Sequence, residues 1–271
     1  MVFTVNTDAV QLATMRVVKQ AASRQRAIMS TISSGLKVAT AKDNAAVFTI
    51  AKNARADVSS MNSAIDSLNR GLNLVDVSMA GSQAIADIVS ALKERILLAK
   101  TFDVGSDQRK AIDVEVKTML ADIDKIAAGA TIQDKNLLAG TSGSSEEYIV
   151  SENLDRLQVG HRPMTTTDLG INALDVVNAA ASALSFIESA LTKVNEESGR
   201  LGADGRRLQQ QKEFLMLRKD TVEVGIGKMV DADLGKENAA LQAEGVKLQL
   251  AQQGLGFANR SKAFVGRLFG L

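Results

Sequence analysis

His161 is the only histidine in the chain, and it stands beside Arg162-Pro163 in a glycine-rich stretch. Ser-His-Asp hydrolysis would have to run through it, because activating a hydroxyl needs an imidazole held between nucleophile and acid. Nothing nearby supplies a nucleophile elbow or an oriented carboxylate, so His161 reads as a solvated loop residue. The absence of cysteine excludes thiol catalysis, zinc ribbons and disulfide frameworks. Gly225-Ile226-Gly227 and Gly254-Leu255-Gly256 each match only part of a dinucleotide fingerprint, and neither follows a strand. Asp231-Ala232-Asp233 opens like a calcium loop but lacks the glycine and terminal glutamate that complete one. It suits a helix start, where the dipole favours negative charge. No catalytic residue, cofactor or metal site emerges, and the reading is of a protein without enzymatic activity.

What such residues would be positioned by is clearer than what they would do. The 271 residues are 45% hydrophobic but only 3% aromatic, with a single proline, Pro163. Aliphatic, proline-poor sequence favours long helices packed closely on each other. Val58, Met61, Ile65, Leu68, Leu72, Val75 and Met79 step by three and four without a break, the seam of a helix lying along a partner. Ala86, Val89 and Ile96 continue it with a shift of register. No proline interrupts Ala41 to Lys100, so one helix of about 90 Å is expected there, and a rod-shaped molecule with it. Ile112, Val116, Met119, Ile123 and Ile126 form a second stripe, opened by Ser106-Asp107 as cap. A third begins near Asn172 and runs through Leu184, Ile187, Leu191, Val194, Leu201, Leu208 and Leu215, with Gly199, Gly202 and Gly205 loosening it. Between these helices, residues 137–171 are rich in Gly, Ser and Thr and read as loops with short strands at Tyr148-Ile149-Val150 and Leu157-Gln158-Val159.

The two ends carry their own heptads. Met15, Ala22, Met29 and Leu36 recur every seven residues near the start, accompanied by Val18 and Ile32. Leu234, Leu241, Leu248 and Leu255 do so near the finish, and Leu250, Phe257, Phe264 and Leu271 mark a second stripe. A helix with two apolar stripes needs contact on more than one side. The stretch from Gly245 to Leu271 has no acidic residue, and left uncovered it would be an aggregation hazard. One reading packs it on the N-terminal helix; a second adds neighbouring copies of the chain. Arg16, Lys19, Arg24, Arg26 and Lys37 face only Asp8 in the first forty residues. Such an arm could touch phosphates, but without stacking aromatics or a groove-reading module no nucleic-acid partner is expected. No apolar run approaches the ~20 residues that span a bilayer, so no membrane insertion is expected either. Met1 to Asp8 lacks the basic leader and apolar block of a cleaved secretory signal.

Ile32-Ser33-Ser34-Gly35-Leu36-Lys37-Val38, followed by Ala41-Lys42-Asp43-Asn44-Ala45-Ala46, resembles the N-terminal signature of bacterial flagellins. Ser60-Met61-Asn62 and Asp66-Ser67-Leu68-Asn69-Arg70-Gly71 extend the match. Val230 to Glu237, Gln249-Leu250-Ala251-Gln252-Gln253 and the Leu268-Phe269 ending are similar to the family's C-terminal region. Asn136-Leu137-Leu138, Leu157-Gln158-Val159-Gly160 and Asp168-Leu169-Gly170-Ile171 resemble its hairpin segment. Lys42-Asp43-Asn44 and Asp231-Ala232-Asp233-Leu234 look most like alphaproteobacterial members.

The resemblance implies a mainly α, elongated coiled-coil bundle with paired N- and C-terminal helices and a small β-hairpin region. Its domains would be 1–40 with 228–271 as the terminal coiled-coil core, 41–136 with 172–227 as a helical rod, and 137–171 as a short hairpin insert. It implies a subunit that self-assembles into the helical flagellar filament for motility and is secreted through the flagellum's own export channel without a cleaved signal. Implied partners are other flagellin subunits, an export chaperone on the C-terminal helix, and the filament cap and hook-junction proteins. The polymerisation interface would draw on Met15, Val18, Ala22, Met29, Ile32, Leu36, Leu241, Leu248, Leu255, Phe257, Phe264 and Leu268. A hook–filament junction protein or a cytoplasmic coiled-coil adaptor would share the heptads; the compact insert and both signature segments favour the filament subunit. Pairing residues 10–36 with 234–268 closes a loop of about 200 residues at an entropic cost, so ordering of the ends is expected to depend on assembly. The sequence departs from the family's pattern twice. In the receptor-epitope-like segment Glu94, Arg95 and Leu98, Glu94 stands where many members carry arginine, implying weak or absent activation of the animal receptor. Leu234 replaces a common aromatic.

Overall fold

The computed structural model describes residues 9–140, 144–151 and 155–268, with side chains at all of them except 9, 10, 258, 259 and 261–268. Among these, the elements are α1 (Ala9–Ser34), α2 (Ala45–Ala99), α3 (Asp107–Gly129), β1 (Thr131–Ile132), β2 (Lys135–Asn136), β3 (Ser145–Ile149), β4 (Arg156–Gly160), α4 (Ala180–Val230) and α5 (Leu234–Leu268). The protein is mainly α, with two small antiparallel hairpins, β1–β2 and β3–β4. It divides into two compact units, Met1–Ala56 with Val222–Leu271, and Asp57–Thr221.

Side-chain oxygens decide where the helices begin. Asn44 Oδ1 accepts from the Val47 amide at 3.1 Å and starts α2. The chain cannot be helical from Ala41, because Asp43 gathers the amides of Thr40 (2.8 Å) and Ala39 (3.1 Å) into a turn. The Thr40 amide, with the Thr40 hydroxyl second, holds the Asp43 carboxyl below its ordinary value. Ser106 Oγ caps α3 by accepting from the Arg109 amide at 3.3 Å, as the sequence suggests. Asp233 Oδ1 caps α5 through the Lys236 amide at 3.1 Å, which gives the acid pair its structural role. α4 starts at Ala180, later than the apolar pattern suggests, because Asp175 takes the Asn178 amide at 2.8 Å and keeps 175–178 in a turn. Gly199, Gly202 and Gly205 lie inside an uninterrupted α4.

The core of the second unit joins α2, α3 and α4. Leu68, Ile85, Leu92 and Ile96 of α2, Val116 and Ile123 of α3, and Ile187, Val194, Leu201 and Leu208 of α4 are fully buried in one cluster. Each such side chain contributes roughly 1.5–3 kcal/mol by leaving water. The seam of α2 differs from the apolar spelling. It runs Met61, Ala64, Leu68, Gly71, Val75, Ser78, Ser82, Ile85, Val89, Leu92, Ile96 and Ala99 in unbroken steps of four and three, and no register shift is needed. Leu72 is half-buried and Met79 is exposed.

The small residues are in the seam because neighbours come close. A Cβ on Gly71 would stand 3.1 Å from the Tyr148 ring, and one on Gly205 would stand 3.3 Å from Val75 Cγ1. The Ser82 and Ser198 hydroxyls bond each other between α2 and α4. On α4 the alternate seam positions are polar: Glu197, Asp204 and Gln211. They hold the hairpin region, Gln211 by donating to the Val150 carbonyl at 2.9 Å and the two carboxylates by pairing with Arg162 at 3.5 and 3.3 Å.

The β1–β2 hairpin, not foreseen from the sequence, turns through Gln133 and Asp134, both with positive φ (49° and 62°). Asn136 ties it down by donating to the Ala127 carbonyl at 2.8 Å and accepting from the Leu138 amide at 2.7 Å.

Candidate assembly surface

The first unit pairs α1 with α5. The two run antiparallel: the Cβ position of Gly254 lies 3.6 Å from Thr14, and that of Gly245 lies 4.0 Å from Gln25. Buried or half-buried positions on α1 include Thr14, Val18, Ala21, Gln25, Ile28 and Ile32, a stepping of four and three. On α5 they include Leu241, Glu244, Leu248, Ala251 and Leu255. Glu244 is buried, with its carboxylate 2.8 Å from Lys247 and 3.8 Å from Arg24. A buried charge at a seam position is satisfied in one register, so this cluster suits setting the alignment of the pair.

Beyond α1 the chain is clasped to the end of α4. The Lys37 amide donates to the Val230 carbonyl and the Ala232 amide to the Gly35 carbonyl, both at 2.8 Å, around an antiparallel bridge of Leu36 with Asp231. Gly35 sits at φ +70°, the left-handed conformation that ends α1.

This pairing leaves much apolar surface uncovered. Among the described residues of the unit, the buried apolar side chains are Ala21, Ala51, Ile226, Val230 and Ala251. By contrast Met15 is 44% exposed, Met29 54% and Phe257 68%, with Leu12, Val17, Leu234, Val246 and Leu250 also exposed. A groove of about 270 Å³ runs past Val17, Ala21, Leu250 and Ala251, edged by Arg24, Glu244 and Lys247. Of the residues singled out from the sequence, Val18, Ala22, Ile32, Leu36, Leu241, Leu248 and Leu255 are half-buried, whereas Met15, Met29 and Phe257 are exposed. The side chains of Phe264 and Leu268 lie outside the described residues.

In the second unit, Glu94, Arg95 and Leu98 are exposed on α2, and Arg95 Nε lies 3.5 Å from Glu115 on α3. His161 is not solvated. Its side chain is 12% exposed, with Nε2 3.5 Å from Glu146, and its ring occupies the space a side chain at Gly140 would fill. The cause is a fold-back invisible to local pattern: the Arg162 amide donates to the Leu137 carbonyl at 2.7 Å and the Met164 amide to Leu138 at 2.8 Å. Arg162, Lys193, Glu197, Arg200, Asp204 and Arg207 line a polar cleft of about 540 Å³ beside it. Among the described residues no cluster of His, Asp and Glu is placed to hold a metal ion, and no helix is long and apolar enough to cross a membrane.

A helix pair with an underfilled core and apolar outer faces has the character of an interface. Residues 5–143 match the family model for the bacterial flagellin N-terminal helical region, and residues 184–269 match that for the C-terminal helical region. The chain belongs to the bacterial flagellins. This flagellin is similar to flagellin FljM of Caulobacter vibrioides, 29% identical with 98% of both chains covered. It is similar also to the flagellin of Brucella melitensis, 29% identical over 92% of this chain and 93% of the other. These relatives mark it as an alphaproteobacterial type. A crystal structure of Bacillus cereus flagellin aligns with a TM-score of 0.48 and 18% identity, covering 55% of this chain and 86% of that one. The flagellin is a structural subunit of the flagellar filament and polymerises with other flagellin subunits in that extracellular filament.

The sequence pattern located the heptads of this flagellin but not which face closes inward. Thr14, Gln25 and Glu244 carry no hydrophobic signal, yet they lie on the intramolecular seam. The signal that finds them is unbroken four-and-three spacing, of Thr14 and Gln25 with Val18, Ala21 and Ile28 on α1 and of Glu244 with Leu241, Leu248 and Ala251 on α5.

Proposed function

We propose that polymerisation buries the outer faces of α1 and α5. Met15, Met29 and Phe257, continued by Phe264 and Leu268, meet neighbouring subunits. Val18, Ala22, Ile32, Leu36, Leu241, Leu248 and Leu255 close the helix pair that presents them. The observation that carries this is the burial pattern of the first unit: Met15, Met29 and Phe257 are exposed, while the large apolar residues of the α1–α5 seam are only half-buried and its buried apolar side chains are the alanines Ala21 and Ala251. Isolated subunits with such faces gain free energy by covering them, at roughly 25 cal/mol per Å² of apolar surface removed from water.

In this reading residues 1–40 with 228–271 act as the terminal assembly domain, 41–136 with 172–227 as a helical rod, and 137–171 as a small hairpin insert. The flagellin carries no enzymatic activity, a reading the structural role of its family supports. It is exported through the flagellum's own channel without a cleaved signal, held by a chaperone on its C-terminal helix and placed with the help of cap and hook-junction proteins. A chain free of cysteine and nearly free of proline suits such passage, since nothing cross-links or stiffens it. Glu94 reverses the charge offered to an animal receptor at that position, and weak activation follows.

Seeded polymerisation of Phe257→Asp tests the surface. The variant should raise the critical concentration for polymerisation at least tenfold, roughly the effect of losing a central apolar contact, while melting of the second unit stays unchanged. Assembly at the unmodified rate overturns the assignment.

A further inference from the structure

We propose that Met15 and Met29 are sites of reversible two-electron oxidation that govern whether a subunit can assemble. The proposal rests on the reading of the outer face of α1 as an assembly surface. The chain has nine methionines and no cysteine, so thioethers are its readily oxidised sulfur groups. Met61 and Met164 are sealed in the core of the second unit, whereas Met15, Met29, Met79 and Met216 are exposed. Met15 and Met29 are separated by fourteen positions, which at ~100° per residue brings them within about 40° of each other around α1. Both lie outside the run of Thr14, Val18, Ala21, Gln25 and Ile28 that faces α5. An oxidant therefore reaches them without opening the helix pair.

The chemistry is simple and closed. A peroxide transfers one oxygen atom to the thioether: the O–O bond breaks, an S=O bond forms, the sulfur loses two electrons and, with hydrogen peroxide, water leaves. The product is a polar, chiral sulfoxide on a surface whose association depends on shedding water. α1 itself is not disrupted, because the modified side chains flank the seam and are already about half exposed beside it. Once neighbours cover the face, the same residues are shielded, so oxidation acts on subunits before assembly and spares those already in the filament. Thiol-dependent sulfoxide reductases, one for each epimer, restore the thioether.

The experiment treats purified unpolymerised protein with hydrogen peroxide, maps sulfoxides by mass spectrometry and measures seeded polymerisation. Oxidation of Met15 and Met29 should accompany a rise of about tenfold or more in critical concentration, reversed by the reductase pair with dithiothreitol. The Met15→Leu/Met29→Leu variant, apolar but not oxidisable, should polymerise normally after the same treatment. The Met79→Leu/Met216→Leu variant should remain as sensitive as the unmodified chain. Normal polymerisation of the oxidised unmodified chain overturns the proposal, as does protection conferred by the Met79/Met216 pair instead. Failure of the untreated chain to polymerise on seeds would overturn the underlying surface assignment as well, and is read separately from either oxidation result.

Discussion

The Lys37 ammonium donates to the Lys228 carbonyl at 2.8 Å across 191 residues of sequence. It lies on the same clasp as the Leu36–Asp231 bridge, where α1 ends and α5 begins. A cation at the carbonyl end of a helix meets the negative pole of the helix dipole. Lys37 thus completes the last turn of α4 as well as joining distant parts of the chain.

The clasp also depends on the left-handed backbone of Gly35. At φ +70° a Cβ is strained, so Gly35→Ala should cost about 1 kcal/mol and Gly35→Asn less. Amide exchange at Lys37 and Ala232, whose bonds close the clasp, should quicken about fivefold in the alanine variant. Unchanged exchange would place the strain elsewhere.

The two units should differ sharply in protection. In unpolymerised protein the amides of Leu241–Leu255 should exchange at least about a hundredfold faster than those of Leu68–Ile96, because few apolar contacts hold the helix pair closed. In the filament the difference should shrink. Equal protection of Leu248–Phe257 in both states would show that assembly adds nothing to folding of the ends.

Gly71 sets two effects of similar size against each other. Alanine there gains about 1 kcal/mol of helix propensity but brings a methyl to 3.1 Å from the Tyr148 ring. Gly71→Ala should therefore be within about 0.5 kcal/mol of neutral, with the ring giving by a few tenths of an ångström. Gly71→Leu has no such room. It should cost about 2 kcal/mol and lower the main melting transition by about 4–8 °C.

Tyr148 is the chain's only tyrosine, so its ionisation can be read directly from phenolate absorbance. Burial first, and the Glu146 carboxylate second, push its pKa up to about 12, against a smaller opposing effect of Arg70. Because the folded value exceeds the unfolded one near 10, this site's contribution is full below pH ~10 and is lost as pH rises toward 12. The native titration should have its midpoint near 12. In denaturant it should fall to about 10. A native midpoint near 10 would mean that the ring does not rest on Gly71.

Helix positions and caps were largely legible in the sequence. Ser106 and Asp233 behave as capping residues, and the strands at 148–150 and 157–159 lie within or beside β3 and β4. Those signals are local. Register was harder, because an apolar count favours Leu72 and Met79 over the buried Gly71 and Ser78, which are chosen by what packs on them. The same holds for His161: only the long-range pairing of Arg162 and Met164 with Leu137 and Leu138 buries it. At the proposed assembly surface the heptad of Met15 and Met29 was visible, but its direction was not, since Thr14, Gln25 and Glu244 interrupt the hydrophobic signature of the seam.

The partnership of α1 with α5 also acts as a test of completeness. A helix formed early in synthesis finds its mate only when residues beyond Leu234 have emerged. A chain cut short before α5, by stalled translation or proteolysis, would present α1 without its seam partner and could not offer the paired surface proposed for docking. On that proposal, length would be checked at assembly with no separate inspector.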